Sequence, residues 1–303
     1  MKLNKPSPLS MILIFHLVII VASVGVLLSR KKTAQTTNDK IVVIPLDGVI
    51  THENGSLGHG ASVDGLVEAL DDLREDDHVK AVVLRINSPG GSVGAVQEIH
   101  RAVLKFRGSG KFVVSSFGDV AASGGYYVAC AGDKIVTNPG TLTGSIGVIM
   151  QIPNVKGLFE KIGVSMVTIK SGDMKDSASP FRSMTDKERA YFTTLILDSY
   201  TQFFDAVKEG RKLEAAALKP LADGRVFTGR MAKDAKLVDE IGGLEEAVEL
   251  AKKLAGLEGK KPKIIHHRGA SSLERLLNLM SKEPLKPLET LGKATISLEY
   301  MLQ

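Results

Sequence analysis

Residues 79–106 read "VKAVVLRINSPGGSVGAVQEIHRAVLKF" and contain, in order, a strand, a sharp turn and a helix. Residues 79–86 are mostly apolar and β-branched, which is typical of a buried strand. The proline and the two glycines of "NSPGGS" interrupt that strand. Residues 93–106 then place apolar side chains at helical spacing. A buried strand that turns directly into an amphipathic helix predicts an α/β fold with parallel strands.

The rest of the chain repeats this alternation. Further strands are predicted at residues 40–50, 111–117, 133–138 and 164–170. Helices are predicted at residues 63–77, 213–222 and 229–255, the last of them interrupted at Gly242-Gly243. A longer helix should begin after Thr185 and end near Arg211, because "TDKE" is a capping box with Thr185 as N-cap and Glu188 at its third position. Strands that alternate with helices predict parallel pairing through right-handed crossovers.

The composition excludes some kinds of site and disfavours others. The chain of 303 residues has one cysteine, so it has no internal disulfide and no thiolate zinc site. Cys130 has apolar neighbours and is expected to be a buried, inert thiol. Tryptophan is absent, and the net charge of +5 is densest at residues 29–32 and 259–263, so we expect no nucleic-acid partner. No metal-ligand or nucleotide-phosphate motif occurs, so neither a cofactor nor a metal is expected.

Residues 11–28, "MILIFHLVIIVASVGVLL", are almost entirely apolar. As a helix they would span about 27 Å, close to the thickness of a bilayer core, so we predict an N-terminal transmembrane helix. The alternative is a cleaved signal peptide, for which "VASVG" is a weak cleavage site. Positive charges flank the span on both sides, and their count leaves the orientation open.

The glycine-rich turn "INSPGGSV" at residues 86–93 is the first candidate for a functional site. Glycines let backbone N–H groups point at a small anion without a side chain in the way, and the start of a helix reinforces those donors. Gly90 and Gly91 could therefore form part of an oxyanion hole. Taken alone, however, these residues fit a simple turn between a strand and a helix better than an oxyanion hole.

Residues 119–128, "DVAASGGYYV", place a serine at a second turn between a strand and an apolar helix. Ser123 would be held by the backbone there, and Gly124 offers an unobstructed N–H donor. The alternative is a set of small residues at a tight helix contact. Gly91 and Ser123 are 32 positions apart, which suits one crossover unit, so both turns should emerge at one edge of the sheet.

A nucleophilic serine needs a base, and no histidine lies close to either turn. Six histidines are more plausibly solvated or packed side chains than bases: His52, His59, His78, His100, His266 and His267. Lysine is the remaining choice, although a lysine base must be buried and desolvated because its free pKa is near 10.4. Lys175 is the candidate, but most lysines of the chain are surface charges and Lys175 could form an exposed pair with Asp176, so spacing alone does not select it.

Five stretches of the chain resemble bacterial signal peptide peptidase A and occur in the order found in that family. They are "INSPGGSVGA", "AASGGYYVA", "NPGTLTGSIGVI", "KSGDMKDSASPFRSMT" and "DGRVFTGRMAKDAKLVDEIGG". The resemblance covers roughly residues 40–250 and is to the short, single-unit form of the family. It implies a membrane peptidase with a Ser/Lys dyad on a Clp/crotonase-type fold, a superhelix of ββα units.

The resemblance also implies a role for individual residues. Ser123 would be the nucleophile, Lys175 the general base, and Ser145 the residue that orients the lysine amine. Gly90 or Gly91, together with Gly124, would supply the oxyanion donors. The chain would then comprise four parts: a transmembrane anchor with flanking charges (1–32), a linker (33–40), a catalytic peptidase domain (41–257) and a basic C-terminal tail (258–303).

The same resemblance implies a homo-oligomeric ring at the bacterial cytoplasmic membrane, with a single span and the catalytic domain outside the cytoplasm. Its substrates would be apolar peptides, including cleaved signal peptides. Two other functions remain open at this point: a crotonase-type enzyme acting on acyl-CoA, and a non-catalytic membrane scaffold of the same fold. The membrane anchor and the lack of a well-placed glutamate in either glycine loop disfavour the first, and the intact Ser/Lys pair disfavours the second.

Overall fold

The computed structural model describes residues 16, 35–52, 60–267 and 299–301. The strands are β1 Gln35–Asp47, β2 Val49–Thr51, β3 Gly60–Ser62, β4 Val79–Ser88, β5 Gly90–Ser92, β6 Phe112–Ala122, β7 Lys134–Thr137, β8 Leu142–Gly144, β9 Val226–Thr228, β10 Glu240–Ile241, β11 Lys260–His266 and β12 Glu299–Met301. The helices are α1 Val63–Glu75, α2 Val93–Gly108, α3 Gly124–Ala129, α4 Lys156–Lys161, α5 Asp186–Arg211, α6 Ala215–Leu218, α7 Gly229–Asp234 and α8 Leu244–Leu254. A 3₁₀ turn, Lys219–Leu221, follows α6.

The described strands form a larger and a smaller sheet. The larger sheet runs in the order β10-β7-β6-β4-β1-β11, and β8 pairs with the far end of β6 and with β9. Its pairs are parallel except for the antiparallel pair of β8 and β9. The smaller sheet runs in the order β12-β5-β2-β3. The parallel, helix-connected arrangement predicted from the sequence is therefore confirmed.

Alternate residues of the central strands are buried on opposite faces of the larger sheet, so the sheet has a core on each side. Val42 and Ile44 contribute to the core shared with α1, α2, α3 and α5, whereas Ile41 and Val43 pack towards Ala247 of α8. Side chains that alternate between two buried faces explain why the strand sequences are nearly continuous hydrophobic runs.

The strands predicted at 40–50, 79–86, 111–117 and 133–138 are confirmed, but the strand predicted at 164–170 is wrong. Residues 164–170 have no regular secondary structure, and Val167 and Ile169 are 85% and 97% exposed. A β-branched run forms a strand only where another strand pairs with it, and no described strand lies beside this segment.

The helix predicted at 229–255, with an interruption at Gly242-Gly243, is interrupted there, but the prediction is wrong for residues 235–241. The chain is helical over α7 and α8 only, and β10 between them pairs with β7. Lys236 has a left-handed φ of 60°, and the N–H of Leu237 bonds back to the carbonyl of Ala232, so α7 ends there. The long helix that the capping box predicts is confirmed as α5, with both capping-box hydrogen bonds present.

The two ends of the predicted domain differ from their sequence-based description. Residues 35–40, predicted as part of a linker, lie in β1, and β11 of the basic tail pairs with β1. The predicted anchor at 11–28 lies outside the described residues apart from His16. Within the part of the chain that the structure describes, no helix combines the length and the apolar character needed to cross a membrane.

Candidate active site

Ser123 occupies the single residue between β6 and α3, in a backbone conformation that serine rarely adopts. Its φ is 50° and its ψ is −117°. The N–H of Ser123 donates to the carbonyl of Gly144 at 2.8 Å, and its carbonyl accepts from the N–H of Tyr127. A serine before a helix usually caps it, but here the hydroxyl makes no cap hydrogen bond. The turn therefore fixes the serine backbone from both sides and leaves its hydroxyl unused by the helix. Strained strand-to-helix turns of this kind occur where an enzyme presents a nucleophile.

Ser145 lies beside Ser123. In the parallel pair of β6 and β8, Ala122 faces Gly144, so the two serines leave the sheet from neighbouring positions. Ser145 also has a φ of 50° and is 8% exposed, and its N–H donates to the carbonyl of Arg225 at 2.9 Å. The structure thus brings together two buried serines that are 22 positions apart in the chain.

The glycine turn after β4 lies against the start of α3. Both Gly90 and Gly91 are buried in β5, and β5 contacts α3. A side chain on Gly125 would approach the carbonyl of Ser88 to 2.8 Å, so the helix packs directly on the end of β4. The N–H of Gly90 donates to Ser88 Oγ at 3.1 Å, which leaves the donors of Gly91 and Gly124 as the better candidates for an oxyanion hole.

Helix α3, which follows Ser123, is shielded from solvent, since all six of its residues are buried. The hydroxyl of Tyr126 donates to the carbonyl of Leu237 at 2.7 Å, and burial raises the pKa of Tyr126 well above its ordinary value. Tyr127 stacks edge-on against His100 of α2, with ring centres 4.8 Å apart, and lies 5.0 Å from the ring of Phe203 of α5. Ser123 thus precedes a helix that is packed between two longer ones, α2 and α5.

The other titratable groups near α3 are poor bases. Burial, together with the charges of Arg101 and Arg107, lowers the pKa of His100 to about 4, so the imidazole is neutral at neutral pH. Burial raises the pKa of Cys130 to about 12. The prediction of a buried, inert thiol is confirmed, because Cys130 is free and 1% exposed.

Lys175 lies elsewhere, in a turn at residues 170–182. This turn belongs to the segment 149–197, in which only Ala178 and Glu188 are buried; we call residues 149–197 the exposed segment. Lys175 itself is exposed, and no described residue forms an ion pair with it. No hydrogen bond among the described residues joins this turn to the Ser123 turn. A single chain thus assembles Ser123, Ser145 and the glycine turn, and leaves Lys175 in solvent.

The carboxylate next to Lys175 pairs with other residues. Asp176 accepts hydrogen bonds from Arg182 and from Lys170, which hold the pKa of its carboxyl well below the usual range. Arg182 also donates to Glu188 of α5, whose pKa is lowered by that contact and by the N–H of Thr185. The exposed pair of Lys175 with Asp176, which the sequence left open, is therefore not formed.

Possible metal ligands are few among the described residues. The ligand atoms of His52, Asp64 and Glu98 lie within 4.8 Å of one another. Their side chains are solvent-accessible, and His52 already pairs with Glu98 at 3.8 Å. Exposed carboxylates and histidines often lie this close without a metal, so the group carries no functional assignment.

Comparison with known proteins identifies the family of the chain. The sequence profile of "Peptidase family S49" matches residues 105–258, about half of the chain, and the profile "Clp protease" matches residues 59–140. The chain belongs to peptidase family S49. The S49 match spans Ser123, Ser145 and Lys175, and the Clp match spans the glycine turn and Ser123.

Individual relatives agree with this assignment. A protein of Synechocystis sp. that is provisionally named a protease is 44% identical over 187 residues, which are 62% of this chain and 67% of the relative. A protein of Enterococcus faecium, provisionally named signal peptide peptidase SppA, is 37% identical over 220 residues, or 72% of this chain and 64% of the relative. Protease 4 of Haemophilus influenzae is 35% identical over 216 residues, or 71% of this chain but only 35% of the relative.

This S49 member is therefore a serine peptidase of mixed α/β fold with a Clp protease-type domain. That finding confirms the family inferred from the sequence motifs and sets the acyl-CoA enzyme and the non-catalytic scaffold aside. The aligned part spans about two thirds of the first two relatives and about a third of Protease 4, so substrate and assembly do not transfer with the family.

Sequence reasoning missed three contacts that shape this S49 site. The carbonyl of Arg225 holds the N–H of Ser145, Ser88 Oγ holds the N–H of Gly90, and Arg182 links the Lys175 turn to α5. Each joins residues through geometry that no local pattern records. Only Glu188 carried a sequence signal, because its place in the capping box marks it as the residue at the start of α5.

Proposed function

We propose that the protein is a membrane-anchored endopeptidase with a Ser/Lys dyad, in which Ser123 is the nucleophile and Lys175 the general base. The observation that carries the proposal is the turn at Ser123: a buried serine with a φ of 50°, whose hydroxyl does not cap the helix that follows it. Ser145 lies beside it in register and would hold the lysine amine. Gly124 and Gly91, with Gly90 behind them, border the same place and would face the carbonyl oxygen of the substrate.

The reaction would proceed by acyl transfer. Ser123 Oγ attacks the peptide carbonyl carbon while the Lys175 amine takes the hydroxyl proton. The tetrahedral intermediate places its negative oxygen against the N–H donors of Gly124 and Gly91. The proton then passes to the leaving nitrogen, and an acyl-enzyme remains on Ser123. A water molecule, deprotonated by the same amine, releases the acyl group and restores the serine.

The base requires a second copy of the chain. A lysine base must lose its proton near neutral pH, which happens only when the amine is removed from water. One chain leaves Lys175 exposed, and the same exposed segment presents large apolar side chains to solvent. Among them are Leu158, Ile162, Met166, Val167 and Ile169, all more than half exposed. Apolar exposure of this extent typically marks an interface between proteins. A neighbouring copy that covers the segment would both bury this surface and desolvate the amine, as in a homo-oligomeric ring.

The substrate would bind as an extended strand. The edge of β5 opposite β2 carries the glycine turn, and β12 lies along it antiparallel, with Tyr300 facing Gly91. The pairing of β12 with this edge supports the proposal, because it places an extended backbone next to Gly91. A substrate peptide in the same position would present its carbonyls to Gly91 and Gly124. Such strand addition supplies main-chain hydrogen bonds with little demand on side-chain identity.

The cellular role follows from the predicted anchor at residues 11–28. An enzyme tethered there, with its catalytic domain outside the cytoplasm of a bacterium, would meet apolar peptides at the membrane surface. Cleaved signal peptides are the leading substrate class. The name of the Enterococcus faecium relative supports this, since that protein is provisionally called a signal peptide peptidase.

The dyad is tested with the full chain in detergent, assayed on an apolar peptide ester. Ser123→Ala and Lys175→Ala should each reduce kcat by about 10⁴-fold or more, because nucleophile and base act as one unit. Matched controls are Ser109→Ala, at the C-terminal end of α2, and Lys187→Ala, an exposed lysine on α5. Both controls should keep wild-type kcat. Wild-type cleavage by either dyad variant would refute the proposal.

A further inference from the structure

The turn that carries Lys175 is closed by a network of charged side chains. Lys175 lies one residue before Asp176, whose carboxylate is only 11% exposed. Lys170 Nζ approaches Asp176 Oδ1 to 2.6 Å, and Arg182 donates to both carboxylate oxygens, at 2.8 and 2.9 Å. Arg182 Nη2 also donates to the backbone carbonyl of Asp176 at 2.9 Å. The residue beside Lys175 is therefore fixed through its side chain and its main chain at once.

Arg182 ties this turn to the start of α5. Its Nη1 donates to Glu188 Oε2 at 2.9 Å, and its Nη2 donates to Glu188 Oε1. The Glu188 carboxylate also accepts from the N–H of Thr185 at 2.8 Å, and the Thr185 hydroxyl accepts from the N–H of Glu188. Glu188 is one of two buried residues in the exposed segment, with 2% of its side chain accessible. One guanidinium thus joins two carboxylates, one on the turn and one on the helix.

The helix end of this link is firmly seated in the body of the domain. Farther along α5, Phe203, Ala206 and Val207 are buried in the main core. The ring of Phe203 lies 5.0 Å from that of Tyr127, one helical turn after Ser123. Helix α5 therefore packs against the helix that follows Ser123 and also holds the Lys175 turn near its own start.

We propose that Arg182 is a positioning residue for Lys175: by bridging Asp176 to Glu188, it fixes the lysine backbone relative to α5 and so relative to the active sites that the lysine serves. This inference rests on the proposed role of Lys175 as the base. The Asp176 carboxylate already accepts hydrogen bonds from Arg182 and Lys170. It therefore does not pair with the neighbouring Lys175, and the lysine amine stays available to act as a base. The bridge needs an arginine, because the planar guanidinium can bind two carboxylates at the same time, whereas the ammonium of a lysine is a single point charge.

The test uses the full chain in detergent and measures two properties of each variant. The first is kcat and KM on an apolar peptide ester, together with the rate at which a fluorophosphonate labels Ser123. The second is the melting temperature and the size of the assembly. The variants are Arg182→Gln, Arg182→Lys and Asp176→Asn. The control is Arg74→Gln, because Arg74 of α1 is 29% exposed against 30% for Arg182 and also pairs with two carboxylates.

We expect Arg182→Gln to lower both kcat and the labelling rate by about 10- to 100-fold, because a misplacement of about 1 Å in a catalytic group has an effect of this order. KM should stay within about twofold, and the assembly size should match that of Arg74→Gln. The melting temperature should fall further than in Arg74→Gln, because the Glu188 carboxylate is 2% accessible and loses its cation. Arg182→Lys should recover part of the lost rate. Asp176→Asn should also lower kcat, although it leaves the contact between Arg182 and Glu188 in place.

Two results would overturn the inference. The first is wild-type kcat and labelling in Arg182→Gln. The second is a loss of rate only in those variants whose melting temperature or assembly size has also fallen. In that case Asp176→Asn, which keeps the contact between Arg182 and α5, would be fully active. Failure of the proposed function is distinct from both: it would appear as activity in Ser123→Ala or Lys175→Ala, which leave Arg182 intact.

Discussion

Replacement of Gly91 by alanine should inactivate the enzyme, whereas the same replacement at Gly94 should not. A Cβ on Gly91 would lie 1.9 Å from the carbonyl oxygen of Ile50 and 2.6 Å from its carbon. Both atoms belong to the backbone of β2, which pairs with β5 at this residue, so neither can rotate away. A Cβ on Gly94 meets nothing within 4 Å.

The size of the effect follows from these distances. Real Cβ atoms essentially never approach closer than 3.0 Å, so β5 must move from β2 by at least about 1.1 Å, which is 3.0 minus 1.9. A shift of about 1 Å in an active site costs about 10²-fold in rate, and the loss of one oxyanion donor costs about 10²–10³-fold. We expect kcat of Gly91→Ala to fall by about 100-fold or more. Overpacking should also destabilise the fold by about 1–3 kcal/mol, or about 2–12 °C in melting temperature.

Gly94→Ala is the matched control three residues away. Gly94 is exposed on α2, where alanine is the better helix former, so stability should rise by up to about 0.5–1 kcal/mol and kcat should stay within about twofold. Steady-state kinetics on a peptide ester and thermal unfolding measure both variants. Wild-type kcat in Gly91→Ala would refute the reasoning. An equal loss in both variants would show that the contact with Ile50 is not what matters.

Three further predictions concern side chains on or next to α3, namely Tyr126, His100 and Cys130. Tyr126→Phe removes the donor to the buried carbonyl of Leu237 and should lower the free energy of unfolding by about 1–3 kcal/mol in denaturant titrations; an unchanged value would contradict the assigned hydrogen bond. The half-buried His100 has a pKa of about 4 in the folded protein against 6.5 in the unfolded chain, so between these pH values the unfolded chain takes up a proton that the folded protein does not. Its stability contribution of up to about 3 kcal/mol is therefore complete above pH 6.5 and is lost as the pH falls towards 4. His100→Phe keeps the ring beside Tyr127 and should flatten this part of the stability profile, and an unchanged slope would exclude His100 as its cause. Cys130, with its pKa of about 12, should resist iodoacetamide at pH 8 in the folded protein and react fully in denaturant, whereas rapid labelling of the native protein would show that the thiol is not buried.

Much of this protein was determined by its sequence alone. The hydrophobic run and glycine turn at 79–106 identified a buried strand and its crossover helix, and the capping box at Thr185 located the start of α5. These features depend on neighbours in the chain, so a local pattern is enough to predict them. The motifs around Ser123 and Gly91 likewise indicated the family, which the S49 match confirms.

The tertiary structure decided what depends on residues far apart in the chain. Residues 164–170 have the composition of a strand, yet they have no strand because no partner lies beside them. Ser145 comes to lie beside Ser123 because β8 pairs in parallel with β6 and brings Gly144 opposite Ala122. The burial of one side chain and the exposure of another are equally a matter of packing: in one folded chain Ser123 is 1% exposed and Lys175 lies in solvent. Strand pairing, register and burial each depend on many contacts between residues that are distant in the chain, so they are determined only when the whole chain has folded.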